Sequence, residues 1–277
     1  MTKSYRSIFA LIAGAALALF AGAPAAQKSG KIEILWLGQS AMRITTTTGK
    51  VIMVDPWILG NPKTPAAWKN LDALGKLDLI LVTHAHPDHL TDAPALANKH
   101  KVAIVGPGGM LRSLQTLGVV PAERAMPMHQ SGSVTPLGPG IRITMVPAMH
   151  TSEYLWTNPA TNKAETRVGG EAVGFIVELE NGFKIYHMGD TGLFGDMKFI
   201  ADYYKPDLIM IPIGGRATMD PKDAAFATRE WLKPKFAIPM HYGTFPFLAG
   251  TPKEYIEALG STSTQVIVMN PGDQIAF

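Results

Sequence analysis

Residues 81–90 read LVTHAHPDHL, so three of the chain's eight histidines and one aspartate crowd in directly behind the apolar run LILV of residues 79–82. Such a run reads as a strand buried on both faces. Thr83 onward is then the loop at its C-terminal end, where α/β sheets commonly place their sites. In an extended loop His84 and His86 point the same way and can reach one ion. Asp88 and His89 bend towards a second, with Pro87 stiffening the turn. Imidazole and carboxylate are ligands for Zn²⁺, and also for Mn²⁺ or Fe. At this composition the pattern H-x-H-x-D-H arises by chance in roughly 3 of 10,000 chains. Solubility does not explain it, because the strand before it is buried. The pattern therefore constrains the fold: other strand ends must converge on this loop to complete two metal sites.

The rest of the chain supplies such strands. Short apolar runs recur at 31–37, 41–48, 50–55, 78–83, 101–105, 141–146, 172–179, 183–188, 207–213, 235–240 and 264–269. TTGK at 47–50 is a turn signal between two of them, so the early strands read as antiparallel hairpins. Later strands alternate with helical stretches. In 220–233, Asp220 can cap, Pro221 fits the first turn and Asp223 favours the positive helix end. The stretches 106–118 and 251–260 both end at a glycine, a common helix stop. Residues 151–170 are polar, with Pro159 and the pair Gly169–Gly170, and read as a long loop. The mixture predicts a layered α/β sandwich rather than an all-parallel sheet.

Composition narrows the chemistry. Cysteine is absent, which excludes disulfides and thiol catalysis and leaves histidine and carboxylate as the metal ligands. Residues 1–25 read as a secretory signal peptide: Lys3 and Arg6, an apolar run from Ile8 to Ala23, and the small-x-small site Ala23-Pro24-Ala25. The apolar run is shorter than the ~20 residues of a spanning helix, so cleavage and no stable membrane insertion are expected. Residues 26–277 then form one domain, exported to the periplasm or secreted from a bacterium. Net charge is +3, and Lys3 and Arg6 account for two of those charges. No basic block stands out, so neither a nucleic-acid groove nor a polybasic membrane patch is expected. The expected partner is a small-molecule substrate; the sequence leaves the oligomeric state open.

The remaining ligand candidates each follow an apolar run: His150 after ITMVPAM, Asp190 after KIYHMG and His241 after KFAIPM. Each alone is weak, since a single histidine behind a strand is more often a hydrogen-bonded structural residue. Asp55, then THAHPDH, His150, Asp190 and His241, in this order, resembles the metallo-β-lactamase superfamily. Within it the chain is similar to the small metal-dependent hydrolases related to ascorbate-6-phosphate lactonase. The resemblance runs from ILWLGQSAMRI to IPMHYGTFP and covers nearly the whole chain behind the leader. It implies an αββα sandwich of two mixed sheets flanked by helices, with a pair of divalent metal ions, Zn before Mn or Fe, between the sheet edges. It gives His84, His86 and His150 to the first ion, and Asp88, His89 and His241 to the second. Asp190 bridges them and Asp55 supports a ligand. Relatives usually carry histidine in the segment where this chain has Gln39, and glutamine cannot titrate near neutral pH. His187 reads equally as a support to the metal site or as a core histidine. His100 and His129 fit no ligand position.

Such a metal pair brings a water's pKa down towards ~7. Asp88 and Asp190 are the catalytic candidates: Asp88 accepts a hydrogen bond from the attacking water while it ligates. Arg216 is a candidate for a substrate anion, Tyr242 for an oxyanion and Gln39 for a polar substrate contact. Tyr154 and Trp156 either line an apolar pocket or pin the long loop. No G-x-S-x-G of serine hydrolases occurs. The expected activity is hydrolysis of a lactone, ester, thioester or amide. The alternatives are a phosphodiesterase and a non-catalytic metal-binding protein. A diiron redox role is disfavoured, since such relatives carry glutamate where His86 stands.

Overall fold

A computed structural model describes residues 30–277; the expected leader, 1–25, lies outside the described residues. In chain order the strands are β1 Glu33–Trp36, β2 Met42–Thr45, β3 Val51–Val54, β4 Leu79–Leu81, β5 Ile104–Pro107, β6 Ala125–Met128, β7 Ser133–Val134, β8 Arg142–Pro147, β9 Glu153–Asn158, β10 Lys163–Val168, β11 Val173–Glu178, β12 Lys184–His187, β13 Leu208–Pro212, β14 Phe236–Met240, β15 Gln265–Val266 and β16 Gln274–Ala276. The helices are α1 Pro87–Leu90, α2 Ala93–His100, α3 Gly108–Thr116, α4 Asp196–Tyr204, α5 Pro221–Phe226 and α6 Pro252–Leu259.

Two seven-stranded sheets result, ordered β16-β1-β2-β3-β4-β5-β6 and β15-β14-β13-β12-β11-β8-β7. Each is mixed. In the first, β16 to β3 pair antiparallel and β3 to β6 parallel. In the second, β7, β8, β11 and β12 pair antiparallel and β12 to β15 parallel. The alternation of side chains along a strand explains why the sheets stack. Ile34 and Trp36 of β1, Leu79 and Leu81 of β4, Phe175 and Val177 of β11 and Met210 of β13 all enter the core between the sheets. Their neighbours Leu35 and Ile80 face α2 and α3, where Leu96, Met110, Leu111 and Leu114 cover them. On the far side Ile176, Ile209 and Ile211 face α4, α5 and α6 through Met197, Ile200, Ala224 and Tyr255. Strands of the parallel halves are thus buried on both faces, which is why LILV shows no polar alternation. The layers run helix, sheet, sheet, helix: the expected αββα sandwich.

Each of the eleven strand-like runs overlaps a strand. The stretch 151–170 departs from expectation, because it folds as the hairpin β9–β10, with Glu153 opposite Val168 and Asn158 opposite Lys163. This hairpin belongs to neither large sheet. Its strands alternate between exposed and half-buried residues, so no continuous apolar run marks them. Its turn is set by Asn158, whose side-chain oxygen accepts from the Ala160 amide (2.9 Å), and by Asn162 in the left-handed region. Arg167 lies over the Trp156 ring at 5.2 Å, so Trp156 holds the hairpin to itself.

The stretch 220–233 starts as expected. The Asp220 carboxylate accepts from the Lys222 and Asp223 amides at 2.8 and 2.9 Å, and Pro221 fills the first position. It then widens into a π-helical turn over Ala227–Leu232. There the Thr228 hydroxyl donates to the Ala224 carbonyl (2.8 Å), a side-chain bond that competes with the helix ladder. No helix among the described residues is long and apolar enough to cross a membrane.

Candidate metal centre

The site sits where strands of both sheets end. Asp55 follows β3, residues 83–89 follow β4, His150 follows β8, Asp190 follows β12 and His241 follows β14. Each strand is held by ladders on both sides, so the loops leave from fixed points. Asp55 is fully buried and binds three groups. It accepts from the Thr83 amide and hydroxyl, both at 2.7 Å, and pairs with His89 Nδ1 at 2.9 Å. That fixes the His89 ring with Nε2 towards the cluster.

The imidazoles of His84, His86 and His150 face one another. His84 Nε2 is 3.0 Å and His150 Nε2 is 3.3 Å from His86 Nδ1. Beside them, the Asp88 carboxylate lies 3.7 Å from His89 Nε2 and 3.5 Å from His241 Nε2. Asp190 touches both halves. Its Oδ1 is 3.3 Å from His89 Nε2, and its Oδ2 is 3.0 Å from His241 Nε2 and 3.7 Å from His150 Nε2. The groups His84–His86–His150, His84–His89–Asp190 and Asp88–His89–His241 each bring their ligand atoms within 4.8 Å of one another.

This donor set fits cations. Tetrahedral ligands at ~2.0–2.1 Å from one zinc ion stand roughly 3.3 Å apart, close to the 3.0–3.3 Å between the imidazole nitrogens. His89 Nε2 and Asp190 Oδ1 lie 3.3 Å apart without making a well-formed hydrogen bond, and neither has another hydrogen-bond partner, although such buried atoms are costly to leave unpaired. Without metal, protons take the cations' place. Burial opposes charge on His89, but the Asp190, Asp88 and Asp55 carboxylates outweigh it and hold its pKa well above the ordinary value. His241 is likewise raised to about 9, with burial outweighed by Asp190. Burial disfavours the Asp190 carboxylate, yet His241 and His89 keep its pKa well below the usual range, and Asp88 is lowered by His89 and His241 against the same penalty. Burial pushes His84 well down, and the neighbouring His89 adds to this.

A family model described as the beta-lactamase superfamily domain matches residues 50–242, from the strand before Asp55 to just past His241. The chain belongs to the metallo-β-lactamase superfamily. It is 61% identical over 250 residues to a UPF0173 metal-dependent hydrolase of Cupriavidus metallidurans, covering 90% of this chain and 86% of that one. A similarly described protein of Polaromonas sp. JS666 is 55% identical over the full length of both chains. Among solved structures, the metallo hydrolase Igni18 of the archaeon Ignicoccus hospitalis superposes with a TM-score of 0.75 at 31% identity, covering 89% of this chain and 98% of that one. With its two adjacent ligand clusters, this superfamily member is a metal-binding hydrolase with a binuclear centre.

The other candidates of this metallo-β-lactamase fold divide clearly. Gln39 is buried at the centre, and its Nε2 donates to Asp88 Oδ2 at 2.8 Å and lies 2.7 Å from His241 Nε2. Its backbone is left-handed and clamped by the Trp36 indole and the His241 amide on its carbonyl. His187 stands apart from the ligand atoms. Its Nε2 donates to the Ser40 carbonyl (2.9 Å), holding the turn that carries Gln39, and burial lowers its pKa. Tyr242 turns away: its hydroxyl donates to the Met269 carbonyl (3.3 Å), its ring packs on Trp36, and burial pushes its pKa up to about 12. Arg216 is exposed and lies over the Phe247 ring at 5.2 Å. His100 closes α2 and His129 packs beside Gly108, both outside the cluster.

Sequence reasoning missed Glu153, whose carboxylate lies 3.0 Å from His86 Nε2 and fixes that ring with Nδ1 inward. That hydrogen bond lowers the Glu153 pKa. The hairpin carrying Glu153 is seated by Ser152, which accepts from the Ala85 amide (3.1 Å) and donates to the Gly169 carbonyl (2.9 Å). A Cβ on Gly169 would lie 1.7 Å from the Ser152 carbonyl oxygen, so glycine is required there. No local motif marks a glutamate 67 residues from its histidine. The cavity over the cluster is also walled by Trp57, Phe245 and Phe247, and their aromatic character was the only available signal.

Proposed function

We propose that this protein hydrolyses a carbonyl compound, a lactone, ester, thioester or amide, at a pair of divalent ions, zinc before manganese or iron. His84, His86 and His150 would hold one ion and Asp88, His89 and His241 the other, with Asp190 within reach of both. Two divalent cations, when bound, supply an activated water near neutral pH and polarise the bond under attack. The protein's own groups do the rest. Asp55 and Glu153 set the orientation of His89 and His86. Asp88 lines the cavity and accepts the hydrogen bond that aims the attacking water. Gln39 donates to Asp88 and keeps that carboxylate turned towards His241.

The observation that carries this reading is Asp190, a buried carboxylate within 3.7 Å of ligand atoms of both halves. The resemblance of the sequence motifs to the hydrolases related to ascorbate-6-phosphate lactonase favours a carbonyl over a phosphoester. The leader-like residues 1–25 favour an exported enzyme acting on a small molecule outside the cytoplasm. Metal analysis and a screen on p-nitrophenyl esters, lactones and bis-p-nitrophenyl phosphate test the proposal. Two ions per chain and turnover of an ester or lactone are expected. Asp190→Ala is expected to lose turnover and at least one ion. Full activity in that variant rules out the bridging role, and turnover of the phosphodiester alone replaces the carbonyl reading.

A further inference from the structure

The cavity above the metal ligands has a volume of about 350 Å³ and two unlike sides. One side is the ligand cluster, with His86, His150 and His241 open to it. The other is aromatic. Trp57 stacks on Phe245 with ring centres 5.8 Å apart and planes 27° from parallel, and Phe245 stacks on Phe247 at 5.4 Å and 8°. Leu248 backs this wall from the core. The wall grows from the loops that carry the site itself. Trp57 comes two residues after Asp55, and Phe245 and Phe247 come four and six after His241. Its distance from the ligand cluster is therefore set by the same strand ends. The indole lies close over Gly60, where a Cβ would stand 2.7 Å from Trp57 Nε1, so glycine lets the ring lie flat there.

The described residues lining this cavity include no lysine or arginine. Arg216, the nearest sequence candidate for an anion, does not line it and is stacked on Phe247 instead. A phosphate or carboxylate remote from the scissile bond would lose its water against Trp57 and Phe245, with the Arg216 guanidinium held on Phe247 at the exposed mouth, which is costly. An aryl or alkyl group on the same rings gains from burial and from offset stacking. Phe247 is 44% exposed, so the wall continues out to the cavity mouth with apolar surface still uncovered.

We propose that the substrate carries a neutral apolar group, an aryl ring or an alkyl chain, beside the scissile carbonyl, and that Trp57, Phe245 and Phe247 seat it. This rests on the carbonyl-hydrolase reading above. In the reaction the bond from the carbonyl carbon to its leaving heteroatom breaks. Water gives its hydroxyl to the carbon and its proton to the leaving heteroatom, so an apolar carboxylic acid and an alcohol, thiol or amine result, or, from a lactone, a single hydroxy acid.

Hydroxamates chelate a metal centre whatever bond the enzyme cleaves, so they test the wall apart from the chemistry. The metal-loaded protein is titrated by calorimetry with acetohydroxamate, phenylacetohydroxamate and succinyl monohydroxamate. The phenyl ligand is expected to bind at least about tenfold more tightly than the acetyl one, and the anionic succinyl ligand to gain nothing. Phe245→Ala and Phe247→Ala are each expected to erase most of the phenyl advantage. Equal binding of the acetyl and phenyl ligands, preference for the succinyl ligand, or no binding of any of them overturns the proposal. If the phenyl preference holds while only a phosphodiester is turned over, the carbonyl reading fails and the apolar seat stands.

Discussion

Individual side chains at this centre are set by charge balance. Asp190 and Asp88 are carboxylates with little water around them, and in the metal-free protein His89 and His241 hold protons to balance them. His84, His150 and His187 are the reverse case, kept neutral chiefly by burial. The two groups give opposite pH dependences. A histidine whose folded pKa is raised, as His241 is to about 9, contributes stability that is complete below its unfolded value near 6.5 and is lost as pH rises through 9. A histidine whose folded pKa is lowered makes the unfolded chain the stronger proton binder, so stability falls as pH drops below about 6.5. Chelator-treated protein is therefore expected to melt highest near pH 6.5 and lower at both pH 5.5 and pH 9. A calorimetric series across that range checks it, and a melting temperature rising steadily to pH 9 would contradict the proton-for-metal exchange. The legible part of the site was the cluster His84, His86, Asp88 and His89, because H-x-H-x-D-H is local; His150, Asp190 and His241 are legible only through the family resemblance. Asp55 was legible only as a partner without a target: the structure is needed to show that it holds His89 and the Thr83 backbone together.

Among the secondary elements, those with local chemistry were readable and those without it were not. Helix α6 carries a full capping box, Thr251 with Glu254, and ends at Gly260. Helices α2 and α4 leave no stop signal in the sequence because their chain reversals fall on Lys101 and Lys205, in the left-handed region where glycine usually marks a stop. The hairpin β9–β10 reads as a loop in sequence because it packs on the outside, with half of β9 and most of β10 exposed. Its place next to the metal centre has a functional consequence. Glu153 at its root orients His86, so the hairpin's seating reaches the first of the two proposed metal sites. Glu153→Gln is expected to weaken binding of that ion about tenfold, read by competition with a chromophoric chelator, with the fold's circular dichroism unchanged. An unaltered affinity would show that His86 needs no such support.

At the level of the whole molecule, the proposed metal ligands link strand ends from both sheets, β4 in one and β8, β12 and β14 in the other. Bound cations therefore clip the open edge of the sandwich. A ligand that binds only the folded state at 100-fold above its dissociation constant adds about 2.7 kcal/mol, which for a domain of this size corresponds to roughly 5–10 °C. Removing the ions with a chelator at pH 7 is expected to lower the melting temperature by that amount, and restoring zinc to recover it. An unchanged melting curve would mean that the centre contributes nothing to holding the sheets together. By itself the sequence determined the layers and the ligand types. Burial on both faces produces unbroken apolar runs, and metal chemistry needs imidazoles at close spacing, so both leave local traces. The tertiary structure alone decided which carboxylate orients which ring, that Tyr242 faces away, and that Trp57, Phe245 and Phe247 form one wall. Those relations join residues tens to hundreds of positions apart, and distance along a chain carries no record of where two loops meet.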